Sequence, residues 1–97
     1  MRWESEEEYN MTYEEMRNIY EEVSNFIYHN NWRSYHVSYY CGEINFSTVT
    51  SIYFDVYGTS DQGDGAEWTE YWSIDTDGKI YTEENVYNNI EDFKRDW

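Results

Sequence analysis

The chain contains no proline, no leucine, one alanine and one cysteine, and only 6 of its 97 residues are lysine or arginine. A single cysteine, Cys41, cannot form an internal disulfide, which indicates a reducing, cytoplasmic compartment. The sequence has no apolar run near the ~18 residues of a membrane-spanning helix, and its first residues lack the apolar segment of a signal peptide. We therefore expect a cytoplasmic protein without a membrane anchor.

Large apolar side chains other than tyrosine and tryptophan are scarce as well, because isoleucine, valine and phenylalanine together supply only 16 residues. In a highly charged chain, a share below ~20% is typical of disorder. The 12 tyrosines, 5 tryptophans and 4 phenylalanines argue against disorder, because each aromatic ring can bury ~150–250 Å². We expect one ordered domain over residues 1–97, with a small aromatic core and an acidic arm at residues 1–10.

The charge of the chain is strongly one-sided. Against the 6 cationic side chains stand 21 aspartates and glutamates, which gives a net charge of −15. Such a chain is repelled by nucleic acid and by anionic lipid, and it is attracted to a basic partner or a cation. We therefore expect a basic protein partner, and neither nucleic acid nor a membrane as a direct partner.

The first element is a predicted helix from about Tyr13 to His29. Thr12 and Glu15 match a capping box, and the pair Asn30–Asn31 ends the pattern. Apolar residues follow at helical spacing, at Met16, Ile19, Tyr20, Val23, Phe26 and Ile27.

Alternating polarity after this helix predicts antiparallel strands. In chain order we expect a strand from about Tyr35 to Cys41, a tight turn at Gly42–Glu43, a β-rich stretch at 44–57 bent or bulged near Ser47, an exposed loop at 58–65, a strand at 67–74, a turn at 75–78 and a short strand at 79–81. Thr82 is the expected N-cap of a second helix, with Val86, Ile90, Phe93 and Trp97 on one face and Lys94 and Arg95 in its last turn. The fold class is therefore α+β: an N-terminal helix, a three- to four-stranded antiparallel meander, and a C-terminal helix packed on one sheet face.

Glutamate doublets recur every seven residues, at Glu7–Glu8, Glu14–Glu15 and Glu21–Glu22. Seven residues return to nearly the same helix face, so the last two doublets flank or oppose the apolar stripe. A typical solvated helix pairs each glutamate with a lysine at i+4, whereas here only Arg17 lies among the acids. The pattern fits an ordinary solvated face, and it also fits a surface that binds something cationic.

A second acidic group lies in the middle of the chain, at Asp61, Asp64, Glu67, Glu70, Asp75 and Asp77. Glu70 shares a strand face with Trp68 and Trp72. If these tryptophans are core residues, Glu70 points inward; otherwise the three form an aromatic and acidic surface.

The segment from Ser73 to Glu84 matches an EF-hand calcium loop at five positions, with Asp75, Asp77 and Gly78 among them. It departs where Ser73 replaces the first aspartate and Tyr81 replaces a polar ligand. The incoming segment also has the pattern of a strand. A hairpin turn at Asp75–Gly78 explains the same residues, so calcium binding is the less favoured interpretation.

In size, charge, residue bias and predicted element order, the chain resembles the small acidic phage-encoded inhibitors of host defence, such as anti-CRISPR proteins, anti-restriction proteins and uracil-DNA glycosylase inhibitors. The resemblance covers the whole chain in composition and layout, without a specific motif. It implies a protein that places carboxylates in the nucleic-acid groove of its target, in the cytoplasm of a host cell.

These observations predict a non-enzymatic inhibitor that mimics nucleic acid and needs no cofactor, since no nucleophile, phosphate-loop or dinucleotide motif is present. The alternatives are an immunity protein or antitoxin that neutralises a basic toxin, and a small calcium-binding module. The sequence leaves a homodimer open. The expected partner-binding residues are Glu14, Glu15, Glu21, Glu22, Asp61, Asp64, Asp75 and Asp77.

Overall fold

The computed structural model describes residues 11–29, 37–60 and 65–97. The acidic arm expected at residues 1–10 lies outside them, as do Asp61 and Asp64. In chain order the elements are α1 (Tyr13–His29), β1 (Val37–Ser47), β2 (Ser51–Ser60), β3 (Glu67–Asp75), β4 (Ile80–Tyr81), β5 (Val86–Tyr87) and α2 (Ile90–Asp96). The predicted α+β class is confirmed, with five described strands in place of the expected three or four.

Helix α1 has the bounds that the sequence predicts, because its capping box forms. The backbone N–H of Thr12 donates to Glu15 Oε1 at 2.9 Å, and the N–H of Glu15 donates to Thr12 Oγ1 at 3.2 Å. These two bonds satisfy donors that the first turn of a helix otherwise leaves without partners. The helix buries one apolar stripe, formed by Met16, Ile19, Val23 and Ile27.

The strands form one antiparallel sheet in the order β1-β2-β3-β4-β5, which is a meander. Both helices pack on one face of the sheet. The ring centroids of Phe54 in β2 and Tyr20 in α1 are 4.9 Å apart. The cross-strand neighbour of Phe54 is Trp72, whose ring centroid lies 5.9 Å from that of Phe93 in α2. The core between the two layers is small and rich in aromatic residues, as expected, with Phe54, Trp72 and Phe93 all at most 1% exposed.

The tight turn predicted at Gly42–Glu43 is wrong, because β1 continues through it to Ser47. The pairing of β1 with β2 shifts register on both sides of Ile44, which marks a bulge. Gly42 belongs there because a Cβ would lie 2.7 Å from the ring of Tyr57. Close packing against Tyr57, and not a chain reversal, is therefore the reason for a glycine at position 42.

The chain reverses at residues 48–50, where the sequence predicts only a bend. Thr48 fixes this turn, since its hydroxyl oxygen accepts the backbone N–H groups of Thr50 and Ser51, each at 3.1 Å. The single β-rich stretch expected at 44–57 is therefore two strands. The loop predicted at 58–65 is also wrong in its first part, because residues 58–60 belong to β2.

The second helix starts later than expected. Thr82 closes a turn by accepting the N–H groups of Glu84 at 3.2 Å and Asn85 at 3.0 Å, so it is not a helix cap. Val86, predicted on the helix face, lies in β5 and is exposed. The N-cap is Asn89, whose side-chain oxygen accepts the N–H of Asp92 at 2.7 Å.

The predicted turn at Asp75–Gly78 and the predicted strand β3 are confirmed. Gly78 has φ = +82°, a conformation that favours glycine over residues with a side chain. Within the described ranges, no helix is both long enough and apolar enough to cross a membrane.

Candidate binding surface

Glu14, Glu15, Glu21 and Glu22, which we call the helix carboxylates, are all exposed on α1. Seven-residue spacing places Glu14 and Glu21 opposite the buried stripe, and it places Glu15 and Glu22 along one flank. The structure therefore arranges the two predicted doublets as parallel acidic rows on the outer side of α1.

Three of the helix carboxylates have partners among the described residues. Glu15 caps the helix, Glu21 lies 3.4 Å from Arg17, and Glu22 lies 3.2 Å from Lys94 of α2. Exposed ion pairs contribute only ~0–1 kcal/mol, because water screens them and ordering the side chains costs entropy. A partner's cations can therefore replace the ion pairs of Glu21 and Glu22 at little cost.

The turn residues Asp75 and Asp77 have different environments. The carboxylate of Asp75 accepts the backbone N–H groups of Asp77 at 2.9 Å and Lys79 at 3.0 Å, and the hydroxyl of Tyr81 at 2.7 Å. Asp75 therefore holds the turn together, whereas the side chain of Asp77 is exposed. Gly78 lies against Met11 and Ile19, so this turn sits near the N-terminal end of α1.

The segment Ser73–Glu84 has the geometry of a hairpin. The incoming residues belong to β3, and both oxygens of Asp75 already accept hydrogen bonds. Across residues 11–29, 37–60 and 65–97, no group of three or more His, Cys, Asp or Glu side chains is placed to hold a metal ion.

Glu70 points into the protein, as expected if Trp68 and Trp72 are core residues. Its Oε2 accepts the indole N–H of Trp68 at 3.0 Å, and its Oε1 accepts that of Trp72 at 2.8 Å. Trp72 is 1% exposed, so its N–H has no access to water. The contacts of Glu70 are therefore structural, and it does not belong to a surface site.

The sheet face opposite the helices carries a surface that the sequence interpretation did not identify. We call it the tyrosine face, and it comprises Tyr40, Phe46, Tyr53, Asp55, Tyr57, Glu67, Tyr71, Asp75 and Tyr81. Cross-strand pairing joins Tyr40 to Tyr57, Phe46 to Tyr53 and Asp55 to Tyr71. Tyr71 is 68% exposed and Tyr40 is 53% exposed. Helices cover only the other face of the sheet among the described residues.

Alternation within β2 is the signal that could have revealed this face. Ile52, Phe54 and Val56 are buried, and the tyrosines at 53 and 57 point the other way. The sequence interpretation took the aromatic residues chiefly as core material and did not assign the side chains of the 44–57 stretch to the two faces of a strand.

Carboxylates set the electrostatics of the tyrosine face. Asp55 accepts hydrogen bonds from Asn45 Nδ2 at 2.7 Å and from the Tyr57 hydroxyl at 3.3 Å. The negative charge of Asp55 is the main cause that raises the pKa of Tyr57, and the hydrogen bond to Asp75 is the main cause that raises the pKa of Tyr81. Both neighbouring carboxylates therefore favour the neutral phenol over the phenolate at Tyr57 and Tyr81.

The six predicted site residues that the structure describes do not gather on one face. The helix carboxylates lie on the helix side of the molecule, and Asp75 lies on the open side of the sheet together with Asp55 and Glu67. Of the two predicted residues that are described outside the helix, Asp77 lies in the turn whose Gly78 packs against Met11 and Ile19, near the N-terminal end of α1.

Comparison with known proteins gives no relative from which a role could be transferred. No family model matches the chain, no curated protein matches it, and no solved structure matches it. Its function is therefore inferred from its own residues.

Proposed function

We propose that the chain is a non-enzymatic inhibitor whose acidic surface mimics nucleic acid and blocks the basic groove of a nuclease or of a DNA- or RNA-binding protein. Inhibitors of the anti-CRISPR or anti-restriction type act in this way. The helix carboxylates supply negative charge along the outer side of α1, and Asp77 supplies it in the turn near the N-terminal end of this helix. The net charge of −15 supplies the long-range field.

The observation that carries this proposal is the uncompensated charge. Residues 11–29, 37–60 and 65–97 contain fifteen Asp and Glu side chains and four Lys and Arg side chains. Three of these cations, Arg17, Lys94 and Arg95, already lie within 3.4 Å of a carboxylate. Like charges left in such excess repel one another and lower stability, a cost that binding to a cationic partner would offset.

The geometry of α1 suits a groove that holds a phosphate backbone. Successive doublets are separated by a rise of ~10.5 Å along the helix. Each doublet carries two negative charges, so α1 presents two charges per ~10.5 Å of its length. Each strand of duplex DNA carries one charge per ~3.4 Å. The spacing does not copy the phosphate lattice, but it has the same sign and a comparable linear density. Arginine is the expected counterpart, because its planar fork binds a carboxylate through two hydrogen bonds.

Substitution of the four helix carboxylates by glutamine tests the proposal. Capture from a lysate at low salt first identifies a basic partner, and the purified pair is then studied with the partner's own nucleic acid as competitor. We expect the wild-type chain to displace that nucleic acid. The four glutamines should weaken binding by at least about tenfold, because each removes a charge that attracts the partner.

The matched control removes the same number of charges elsewhere, by glutamine at the exposed residues Glu43, Glu83, Glu84 and Glu91. Glutamine at position 15 still completes a capping box, so α1 should remain folded. An equal loss of binding affinity in both variants would contradict the proposal. A partner that binds the chain and the partner's own nucleic acid at the same time would also contradict it.

The tyrosine face favours a second candidate, an immunity protein or antitoxin that covers the active site of a basic toxin. Exposed tyrosines supply contact area at low entropic cost and are enriched at protein–protein interfaces. A toxin neutralised without any competition from nucleic acid would favour this candidate over nucleic-acid mimicry.

A further inference from the structure

One end of the tyrosine face contains a cleft of about 290 Å³, whose lining includes Tyr40, Tyr57, Glu67 and Thr69. The ring centroids of Tyr40 and Tyr57 are 5.2 Å apart, with an angle of 42° between the rings. Glu67 is exposed and has no ion pair with a cation of the described residues. The cleft therefore combines aromatic surface with a carboxylate free to take a cation.

A second carboxylate lies on the other side of Tyr57. Asp55 is two residues before Tyr57 on the same face of β2, and Glu67 pairs with Thr59, two residues after it. The negative charge of Asp55 is the largest cause that raises the pKa of Tyr57. Tyr57 therefore lies beside one carboxylate at Asp55, and Glu67 lies beyond Thr59 on the same face of the sheet.

This combination is complementary to a guanidinium group. The face of a tyrosine ring attracts cations through its quadrupole, and a guanidinium is flat and weakly hydrated, so it stacks on such a face while its N–H groups reach a carboxylate. A lysine ammonium is compact and strongly hydrated, so it gains less from the rings.

We propose that this cleft, which we call the arginine site, holds an arginine side chain of the basic partner, stacked on Tyr40 and Tyr57 and paired with Glu67. The proposal rests on the proposed function in one respect, since it takes the partner to be a basic protein. It adds a second contact surface, on the opposite side of the sheet from the helix carboxylates. It also predicts a preference for arginine over lysine that net charge alone does not give.

The test uses the full chain and two probes of equal charge, a nona-arginine peptide and a nona-lysine peptide. Titration calorimetry at low salt should give about fivefold tighter binding of the arginine peptide, the size expected of cation–π contacts at an exposed site. In NMR titrations of the wild-type protein, the ring signals of Tyr40 and Tyr57 and the amide of Glu67 should shift first. If the largest shifts of NMR signals are instead those of residues in α1, the proposal is overturned.

The variant Tyr40→Ser/Glu67→Gln removes one ring and the carboxylate. We expect it to bind the arginine peptide about tenfold more weakly and to lose the preference over the lysine peptide. The matched control is Tyr28→Ser/Glu91→Gln, which removes an exposed tyrosine and one charge elsewhere and should bind as the wild type does. Tyr40→Phe retains the ring and should retain the preference.

The outcomes separate this proposal from the proposed function. If the site variant and its control bind equally while glutamine at the helix carboxylates weakens binding, the arginine site is wrong and the acidic inhibitor stands. If neither peptide binds at low salt, both the arginine site and the proposed function are wrong. If the wild type self-associates in sedimentation and the site variant does not, a second copy of the chain occupies the face, and the proposal is overturned.

Discussion

Glu70 lies on the helix-covered face of β3, where its carboxylate accepts two indole N–H groups from Trp68 and Trp72. Sequence alone allowed either an inward or an outward side chain at this position, since alternation shows which residues share a face but not which face is covered. The structure resolves the choice through the burial of Trp72. The number of aspartates and glutamates in the sequence therefore overstates how many carboxylates are available for binding.

Glu70→Ala should lower the free energy of unfolding by about 3 kcal/mol, because it leaves the buried N–H of Trp72 and the N–H of Trp68 without an acceptor. Glu70→Gln, which keeps one acceptor oxygen, should cost roughly half as much. Urea unfolding followed by tryptophan fluorescence measures both values. An alanine variant as stable as the wild type would show that the two hydrogen bonds contribute nothing.

Cys41 gives a prediction about alkaline pH. Burial raises the pKa of its thiol from 9.0 to about 12. Above about pH 9 the unfolded chain then loses this proton while the folded chain keeps it, so the free energy of unfolding falls as pH rises from about 9 to about 12. The raised pKa values of Tyr20, Tyr57 and Tyr81 act in the same direction.

The control for this prediction is Cys41→Ala, in which only the tyrosine contribution remains. Urea unfolding between about pH 8 and about pH 11 should show a shallower decline for the variant than for the wild type. Parallel curves would mean that the Cys41 thiol ionises equally easily in the folded and unfolded chains.

Among the elements, α1 was predicted correctly to the residue because its signals are local: a capping box, an apolar stripe and two asparagines at the end. The hairpin turn at 48–50 was missed because its signal is a single hydroxyl, that of Thr48, within a run of β-branched residues that favours a continuous strand. The prediction of a helix N-cap at Thr82 was wrong for a related reason. A hydroxyl that accepts backbone N–H groups can stabilise a turn or cap a helix equally well.

Thr12→Ala should lower stability by about 1 kcal/mol, because it removes the hydroxyl that accepts the N–H of Glu15 at the start of α1. Thr12→Ser keeps that oxygen and serves as the control. Thermal unfolding monitored by circular dichroism compares the two. A serine variant as unstable as the alanine variant would assign the loss to the methyl group of Thr12 rather than to the cap.

At the scale of the molecule, the two described helices cover one face of the five-stranded meander, and neither of them lies on the tyrosine face. Composition predicted the charge and an aromatic core, and the periodicity of apolar residues predicted the fold class. Composition could not predict which tyrosines lie outside, because that depends on where the strands end and on which face the helices pack. The helix carboxylates and the arginine site consequently lie on opposite sides of the sheet, which suits a partner that wraps around the protein or two partners that bind separately.

The most direct test of the central claim, that the excess of carboxylates binds a basic protein in place of nucleic acid, is the dissociation constant of the purified partner complex as a function of salt. We expect Kd to rise at least about tenfold between about 0.05 and 0.2 M NaCl, since salt screens the attraction between opposite charges. The variant with four glutamines in α1 should show a flatter dependence than the matched control. A Kd that does not change over this range would contradict the claim.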